Sequence, residues 1–276
     1  MSGQAARRPQ RGPPHDTPGR IVSLVPSLSE ACFSVGLGPH VVGVTRWCVH
    51  PASGLAGLAR VGGTRDPDVE AIAALAPDLV IANREENPRR RVEALERRGL
   101  RVWVTDVRDV AGGVALMRSL AALSPHAGMA RAALEPVERA VAEARGRVVR
   151  EARRPRVFCP IWRDPWMAVG GDTYASDLIT LSGGRNVFGD GADHGDRRYP
   201  RVGIDEIVSA QPDVILLPDE PYAFGAADVR ELEALDIPAA RSGRIHPIDG
   251  TWVSWYGPRI APAIRSVGLL LAPPPA

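Results

Sequence analysis

The chain has 276 residues, of which 45% are hydrophobic and 24% are charged, and its formal net charge is +2. This composition excludes a disordered or membrane-embedded protein, and a small net charge with arginines spread among acids argues against nucleic-acid binding. No stretch approaches the roughly 20 apolar residues that cross a bilayer, so we expect no transmembrane segment.

The first 19 residues contain Arg7, Arg8, Arg11 and four prolines, and no apolar stretch of the kind found in export signals precedes Ile21. We predict a disordered polar tail over residues 1–19. The chain as written is expected in the cytoplasm; a misassigned start codon would instead allow a periplasmic or other extracytoplasmic location.

Short apolar runs alternate with amphipathic stretches from Arg20 onward, which is typical of βα units around a parallel sheet. The first lobe is predicted over residues 20–123. Its strands are expected at 21–25, 41–44, 79–82 and 101–104. Ser27 or Ser29 is predicted to cap the helix after the first strand, and Gly36 to end it. A charged surface helix is expected over 88–98.

A long helix over residues 124–155 is predicted to connect this lobe to a second one over residues 156–276. Ser124-Pro125 supplies a helix start, while Pro136 predicts a kink or a division into two helices. In the second lobe the patterns predict strands at 157–161, 214–217 and 245–248, and helices at 173–181 and 258–271.

An internal repeat relates the two lobes. Residues 69–82 align with residues 204–217 at a constant offset of 135 residues. In both copies a short helix is followed by a Pro-Asp turn, at Asp78 and Asp213, and then by a buried strand. The sequence therefore predicts two related α/β units with a binding site between them.

Motifs of catalysis are absent: there is no Gly-x-Gly-x-x-Gly, Walker A, Gly-x-Ser-x-Gly or His-Glu-x-x-His. Cys32, Cys48 and Cys159 lack metal-ligand spacing, so neither a disulfide nor a zinc site is predicted. One glycine-rich loop holds Asp190, Asp193, His194 and Asp196. Their spacing does not match a calcium loop. We predict a solvated loop there, no metal site, and no catalytic residues.

Most aromatic residues come directly after predicted strands. Ligands of open α/β sheets bind beyond the carboxyl ends of strands, so these rings are predicted to line a cleft. The rings concerned are Trp47, Trp162, Trp166, Tyr199, Tyr222, Trp252, Trp255 and Tyr256. Trp103, inside a strand, is predicted to fill the core instead. Arg46, Arg163 and Arg259 are candidate partners for carboxylates or phosphates of a ligand.

Ten segments, in order, carry a resemblance to a known family: residues 20–30, 41–48, 61–64, 69–72, 76–80, 157–166, 178–186, 199–200, 212–215 and 257–259. The chain resembles the helical-backbone metal receptors, or class III periplasmic binding proteins, and within them the cobalamin-binding-protein-like group. The resemblance implies two Rossmann-like α/β lobes with mainly parallel sheets, joined by one long helix, with ligand held in the cleft.

The resemblance also implies roles for individual residues. Aromatic positions that contact the corrin in cobalamin binders fall on Trp47, Asn83, Tyr199 and the loop 252–256, and Asn83 and Thr64 depart from the aromatic pattern. Acidic residues that dock on an ABC permease fall on Glu70 and Asp205, with Glu206 adjacent. A helix-capping role for these acids is the alternative.

The function predicted is that of a monomeric, non-enzymatic receptor for a bulky metal chelate, most simply a corrinoid such as cobalamin, for ABC-type import or intracellular handling. No built-in cofactor is expected. Three alternatives stay open: a haem or ferric-siderophore binder, a cytosolic sensor or chaperone of the same ligand, and a two-lobed α/β transferase.

Overall fold

The computed structural model describes residues 12–148, 154–189 and 198–273. The chain divides into two compact units, each made of two stretches: Met1–Asp106 with Val114–Glu135, and Val107–Gly113 with Pro136–Ala276. These units are defined by contacts rather than by chain order. The lobe limits drawn from the sequence, at 123/124 and 155/156, therefore stay predictions.

The first unit is built on a five-stranded sheet. Its strands are β1 (Ile21–Ser23), β2 (Val41–Val44), β3 (Ala59–Arg60), β4 (Leu79–Asn83) and β5 (Val102–Thr105). All neighbours run parallel in the order β3-β2-β1-β4-β5. The four predicted strands are confirmed, and only the two-residue β3 was missed. Chain order reverses at β1, so the loops after β1 and β4 lie where ligands bind such sheets.

Three helices follow strands of this sheet: α1 (Pro26–Ser34), α2 (Val69–Ala74) and α3 (Arg89–Arg97). The serine cap predicted for α1 is wrong, because Pro26 is already the first helical residue and Val25 is the N-cap, without a side-chain bond. Proline suits that position since its missing N–H needs no partner. The stop at Gly36 is confirmed by its φ of 89°.

Two longer helices, α4 (Val110–Leu123) and α5 (Ala127–Val148), each contribute to both units. α5 lies within the predicted connecting segment and continues through Pro136 as one helix of 22 residues. It is therefore not split, and at ~1.5 Å per residue it spans about 33 Å. Its start at Ser124-Pro125 was predicted too early: Ser124 Oγ accepts from the His126 N–H at 3.1 Å, before the first turn.

The second unit contains a four-stranded sheet and a hairpin. Its strands are β6 (Arg156–Phe158), β7 (Pro160–Trp162), β8 (Met167–Ala168), β9 (Arg185–Asn186), β10 (Val214–Pro218) and β11 (Ile245–Ile248). The sheet is parallel with the order β11-β10-β6-β9, and β7 pairs antiparallel with β8. The single strand predicted over 157–161 is thus wrong: the chain breaks at Cys159 and turns into a hairpin.

The helices of this unit are α6 (Tyr174–Leu181), α7 (Ile204–Ala210), α8 (Ala226–Glu233), α9 (Pro238–Arg241), α10 (Thr251–Ser254) and α11 (Ile260–Leu271). α6 is capped by Thr173, whose Oγ1 accepts from the Ser176 N–H at 3.2 Å. The predicted helices at 173–181 and 258–271 are confirmed within two residues. The short helices α8, α9 and α10 were not predicted.

The internal repeat corresponds to α2–β4 in the first unit and α7–β10 in the second. Asp78 and Asp213 each accept, at 2.8 Å, from the backbone N–H at the start of the first strand of their own unit. Ala76 and Gln211, which also correspond in the repeat, both adopt left-handed backbone, with φ of 44° and 43°. The prediction of two related α/β units is confirmed down to these details.

Each sheet covers a separate apolar core. In the first, Leu24, Ile72 and Val80 pack with their neighbours, and in the second, Phe158 and Leu217 do so. Trp103 on β5 is buried, as predicted.

Candidate functional site

The most exposed predicted contact is Trp47, which leaves 58% of its surface open to solvent in the turn after β2. Burying an indole is strongly favourable, so an exposed one beside a parallel sheet marks a surface that a ligand can cover. The guanidinium of Arg46 lies 5.7 Å from the ring centroid. The ring therefore offers an apolar face with a cation beside it.

The turn that carries Trp47 is fixed from two sides. The thiol of buried Cys48 forms hydrogen bonds with Ser29 Oγ at 3.1 Å and Thr45 Oγ1 at 3.2 Å. From β3, Arg60 Nη1 donates to the carbonyls of Thr45 at 3.1 Å and Cys48 at 2.9 Å. These hydrogen bonds fix the backbone on both sides of Trp47, and none of them involves the indole ring.

Arg46 is exposed but paired. Its Nη2 donates to both carboxylate oxygens of Asp66 at 2.8 Å. This hydrogen bond is the main reason that the pKa of Asp66 lies below its usual value, and the charges of Arg46 and Arg91 act in the same direction. A ligand that contacts Arg46 would therefore meet a guanidinium whose positive charge is already partly neutralised by Asp66.

Asn83 and Thr64 take part in hydrogen bonds that hold neighbouring loops together. Asn83 is 3% exposed; its N–H donates to Asn87 Oδ1 at 2.7 Å and its own Oδ1 accepts from the Glu85 N–H at 2.8 Å. Asn87 Nδ2 in turn donates to the Thr64 carbonyl at 2.8 Å. Asn83 therefore holds the loop after β4 and presents little surface, and direct ligand contact by Asn83 or Thr64 stays a prediction.

Trp162 is the exposed indole of the second unit. It ends β7 with 43% of its surface open, and Tyr222 packs edge-on against it at 5.7 Å between ring centroids. Tyr222 follows β10 and is another of the rings that their place after a strand selected from the sequence. Together the two rings form an aromatic pair at the carboxyl ends of neighbouring strands.

Trp166 and Arg163 lie in the same hairpin and are occupied by the unit's own packing. Trp166 is 4% exposed and stacks on Phe224 at 5.7 Å with an interplanar angle of 7°. Arg163 lies over Trp166 at 4.5 Å and pairs with Asp228 at 3.3 Å and with Glu231. The Arg163 charge is paired and the Trp166 ring is packed on both faces, so both support the hairpin in this structure, and ligand contact from them stays a prediction.

Trp255 and Tyr256 follow α10 and are also buried. Trp255 Nε1 donates to Glu220 at 2.7 Å, and Arg259 lies 4.7 Å from the Trp255 ring while its Nη1 donates to Thr251 Oγ1 at 2.8 Å. Arg259 is thus held within the unit. The Trp255 indole anchors the loop, and of the three rings in the loop only the half-buried Trp252 keeps open surface.

Tyr199 is half-buried beside Arg198, whose guanidinium lies 5.9 Å from its ring centroid. Arg198 also donates to the Asp172 carbonyl, and Asp172 pairs with Arg108 at 2.8 Å. The glycine-rich loop with Asp190, Asp193, His194 and Asp196, predicted to be solvated rather than metal-binding, lies outside the described residues.

The acidic residues of the repeat lie at the exposed starts of α2 and α7. Glu70 pairs with Arg98, the residue that caps the end of α3. Glu206 accepts from the Gly203 N–H at 2.6 Å, which caps α7, whereas Asp205 is exposed at the first turn. The capping alternative therefore applies to Glu206, and in the first unit the cap is Asp68 rather than Glu70.

Groups of metal-ligating side chains are not found among residues 12–148, 154–189 and 198–273. The three cysteines are buried and free, and burial raises the pKa of Cys32 and Cys159 to about 12, which leaves them unreactive at neutral pH. Within the same ranges, no helix is long and apolar enough to cross a membrane.

Two related parallel sheets, with aromatic rings rather than reactive groups at the ends of their strands, define a ligand-binding α/β protein of two units. A sequence model of the periplasmic binding protein family matches residues 21–250, and the chain belongs to that family.

Individual relatives agree with this assignment. The vitamin B12-binding protein of Yersinia pestis (strain Pestoides F) is 27% identical over 248 residues, or 90% of this chain and 84% of that protein. The periplasmic vitamin B12 binding protein BtuF of Vibrio cholerae has a TM-score of 0.80 at 24% identity, covering 93% of this chain and 97% of that one, which shows the shared fold. The periplasmic heme-binding protein RhuT of Roseiflexus sp. RS-1 has a TM-score of 0.76 at 26% identity, covering 91% and 97%.

Proposed function

We propose that this protein binds a bulky metal chelate, with a corrinoid as the first candidate, and that it catalyses no reaction on it. The observation that carries the proposal is the exposure of two indoles beyond strands: Trp47, at 58%, follows β2 of the parallel sheet in the first unit, and Trp162, at 43%, ends β7 of the hairpin in the second. Stacking on a macrocycle would remove these faces from water, with about 0.5–1.5 kcal/mol per aromatic pair beyond the burial itself.

The corrinoid is favoured because the Yersinia vitamin B12-binding protein aligns with 90% of this chain. Haem is the second candidate, supported by the likeness to the heme-binding protein RhuT. A ferric siderophore is the third, because its bulk and planar groups suit the same rings.

A fluorescence titration tests the proposal and chooses among the three. Purified protein is titrated with cyanocobalamin, haemin and a ferric siderophore while tryptophan emission is followed. We expect saturable quenching at one equivalent by one of the three chelates. The double variant Trp47→Phe, Trp162→Phe should lose most of the quenching amplitude, because those indoles are the reporters. Three flat titrations would rule the receptor function out.

Delivery to an ABC permease is a further part of the proposal, with the acids at the starts of α2 and α7 as docking residues. The variant Glu70→Ala, Asp205→Ala should keep its ligand affinity and lose ligand uptake in cells. Glu206→Ala is the matched control, because Glu206 caps α7 and its loss should lower stability instead. A cytosolic sensor or chaperone would show no uptake defect in any of these variants.

Cell fractionation, with the protein expressed from its own gene, tests its location. Recovery in the cytoplasmic fraction fits the sequence expectation and favours intracellular handling. Recovery outside the cytoplasmic membrane contradicts that expectation and favours import.

A further inference from the structure

The arginines around the exposed rings differ in how far their charge is already neutralised. Arg163 and Arg259 are held by acids and by a hydroxyl within the second unit, so neither has a free guanidinium for a ligand. Arg46 is shared with Asp66. In the described part of the first unit, the side chains of Arg65 and Arg91 form no hydrogen bond or ion pair, unlike that of Arg46.

The position of Arg91 is unfavourable for the stability of the folded protein. Its side chain is half-buried, and its Nε is fully covered without a hydrogen-bond partner in the described residues. It also belongs to a run of three arginines in the first turn of α3, which has no acid in that turn and no side-chain cap. Cations at the positive end of a helix and buried polar atoms without partners both lower stability. A bound anion would offset the positive charge at this helix start.

The two arginines are next to the Trp47 turn. Asn87 ties the loop after β4, which leads into α3, to the Thr64 carbonyl in the loop after β3. Asp66, beside Arg65, is hydrogen-bonded to Arg46, whose guanidinium lies over Trp47. Asp66 also experiences the charge of Arg91. The guanidiniums of Arg46 and Arg91 thus both act on the Asp66 carboxylate beside the exposed indole, and Arg65 precedes Asp66 in the same loop.

We propose that Arg65 and Arg91 bind an anionic oxygen group, a carboxylate or a phosphate, on the chelate that packs against Trp47. Guanidinium groups recognise both oxyanions through paired N–H donors. The inference rests on the proposed function and adds to it that the preferred ligand carries a negative charge at its rim.

Pairs of chelates that differ in the anion test this inference. Haemin is compared with haemin dimethyl ester, which lacks free carboxylates, and cobalamin with cobinamide, which lacks the phosphodiester. The variant is Arg65→Gln, Arg91→Gln. The control is Arg97→Gln, which removes one charge from the opposite end of α3.

Wild type should prefer the anionic member of the pair that it binds by at least about tenfold, as expected for hydrogen bonds to a charged group. The double variant should bind both members alike, and Arg97→Gln should keep the preference. Equal affinities in the wild type, or a preference that survives in the double variant, would overturn the anion site while leaving the receptor function intact. If the wild type binds none of the four compounds, the anion site is rejected, and the receptor function then depends on the siderophore titration.

A measurement without ligand separates binding from a structural role. If Arg91 is kept for an anion, Arg91→Gln should melt at the same or a higher temperature than wild type at low ionic strength. A lower melting temperature would show that Arg91 supports the fold, and the anion site would then be rejected.

Discussion

Trp47 and Trp166 have similar local sequences but different surroundings. Both come three or four residues after a strand and have a proline and an arginine within four positions. Trp47 is 58% exposed, while Trp166 is stacked between Phe224 and the guanidinium of Arg163. The partners that bury Trp166 include one from a loop nearly 60 residues away. Sequence reasoning could therefore find the rings near strand ends, but not which of them stay open.

At Arg163 we expect substitution to affect stability more than ligand affinity. Arg163→Met keeps the apolar stem but leaves Asp228 and Glu231 without their cation and Trp166 without its cationic neighbour. Because the pair is largely covered, the loss should be about 1–3 kcal/mol of unfolding free energy. Urea denaturation measures it; Arg230→Met, an exposed arginine on α8, is the control. An unchanged midpoint for Arg163→Met would contradict this role.

The Arg46–Asp66 pair should make a small, pH-dependent contribution to stability. The pKa of Asp66 is lowered in the folded protein, so the folded state favours the charged carboxylate. The contribution is present above the unfolded pKa of about 4 and is lost as pH falls through the lower folded value. Asp66→Asn should therefore differ in stability from wild type at pH 7 and approach it at pH 2. A difference that does not shrink with acid would show that the pair is not responsible.

The turn that carries Trp47 illustrates how an element can prepare a binding residue. Arg60→Met should release the carbonyls of Thr45 and Cys48 and make the indole more mobile, without removing a contact to the ring. The ¹⁹F spectrum of protein labelled with 5-fluorotryptophan measures this, with the Trp47 signal assigned by its loss in Trp47→Phe. We expect that signal to sharpen or shift while the Trp103 signal, from the core, is unchanged. Identical spectra would mean that Arg60 does not hold the turn.

The turns that end α2 and α7 store backbone strain at equivalent positions. Ala76 has φ of 44°, a region that costs about 1 kcal/mol or more for residues with a Cβ. Ala76→Gly should stabilise the protein by roughly 0.5–1 kcal/mol in thermal or urea unfolding. Ala74→Gly, two residues earlier in helical backbone, is the control and should destabilise it by roughly 0.5 kcal/mol. A loss of stability in Ala76→Gly would contradict the strain argument.

Elements with strong boundary signals could be predicted, and elements made by pairing could not. The strand β4 is bounded by the Pro-Asp turn, and α1 ends at Gly36; both were found from the sequence. The hairpin β7–β8 was missed because its strands are two or three residues long and its turn depends on Asp164, which adopts φ of 57°. Two-residue strands such as β3 and β9 exist through their neighbours rather than through their own pattern.

At the scale of the whole molecule, the repeat was the most informative sequence feature. It predicted two related α/β units, and the structure adds that Asp78 and Asp213, at equivalent points of the repeat, each accept from the N–H at the start of the first strand of their unit. The ligand could not be predicted in the same way, because rings and guanidiniums fit several chelates.

The central claim is that exposed rings at strand ends bind a metal chelate. Isothermal titration of wild type and Trp47→Ala with the chelate identified by fluorescence tests it most directly. We predict one-to-one binding by wild type and an affinity reduced by about 10- to 100-fold in Trp47→Ala, with an unchanged melting temperature because the ring is mostly in water. Equal affinities for the two proteins, or no heat from wild type, would contradict the account.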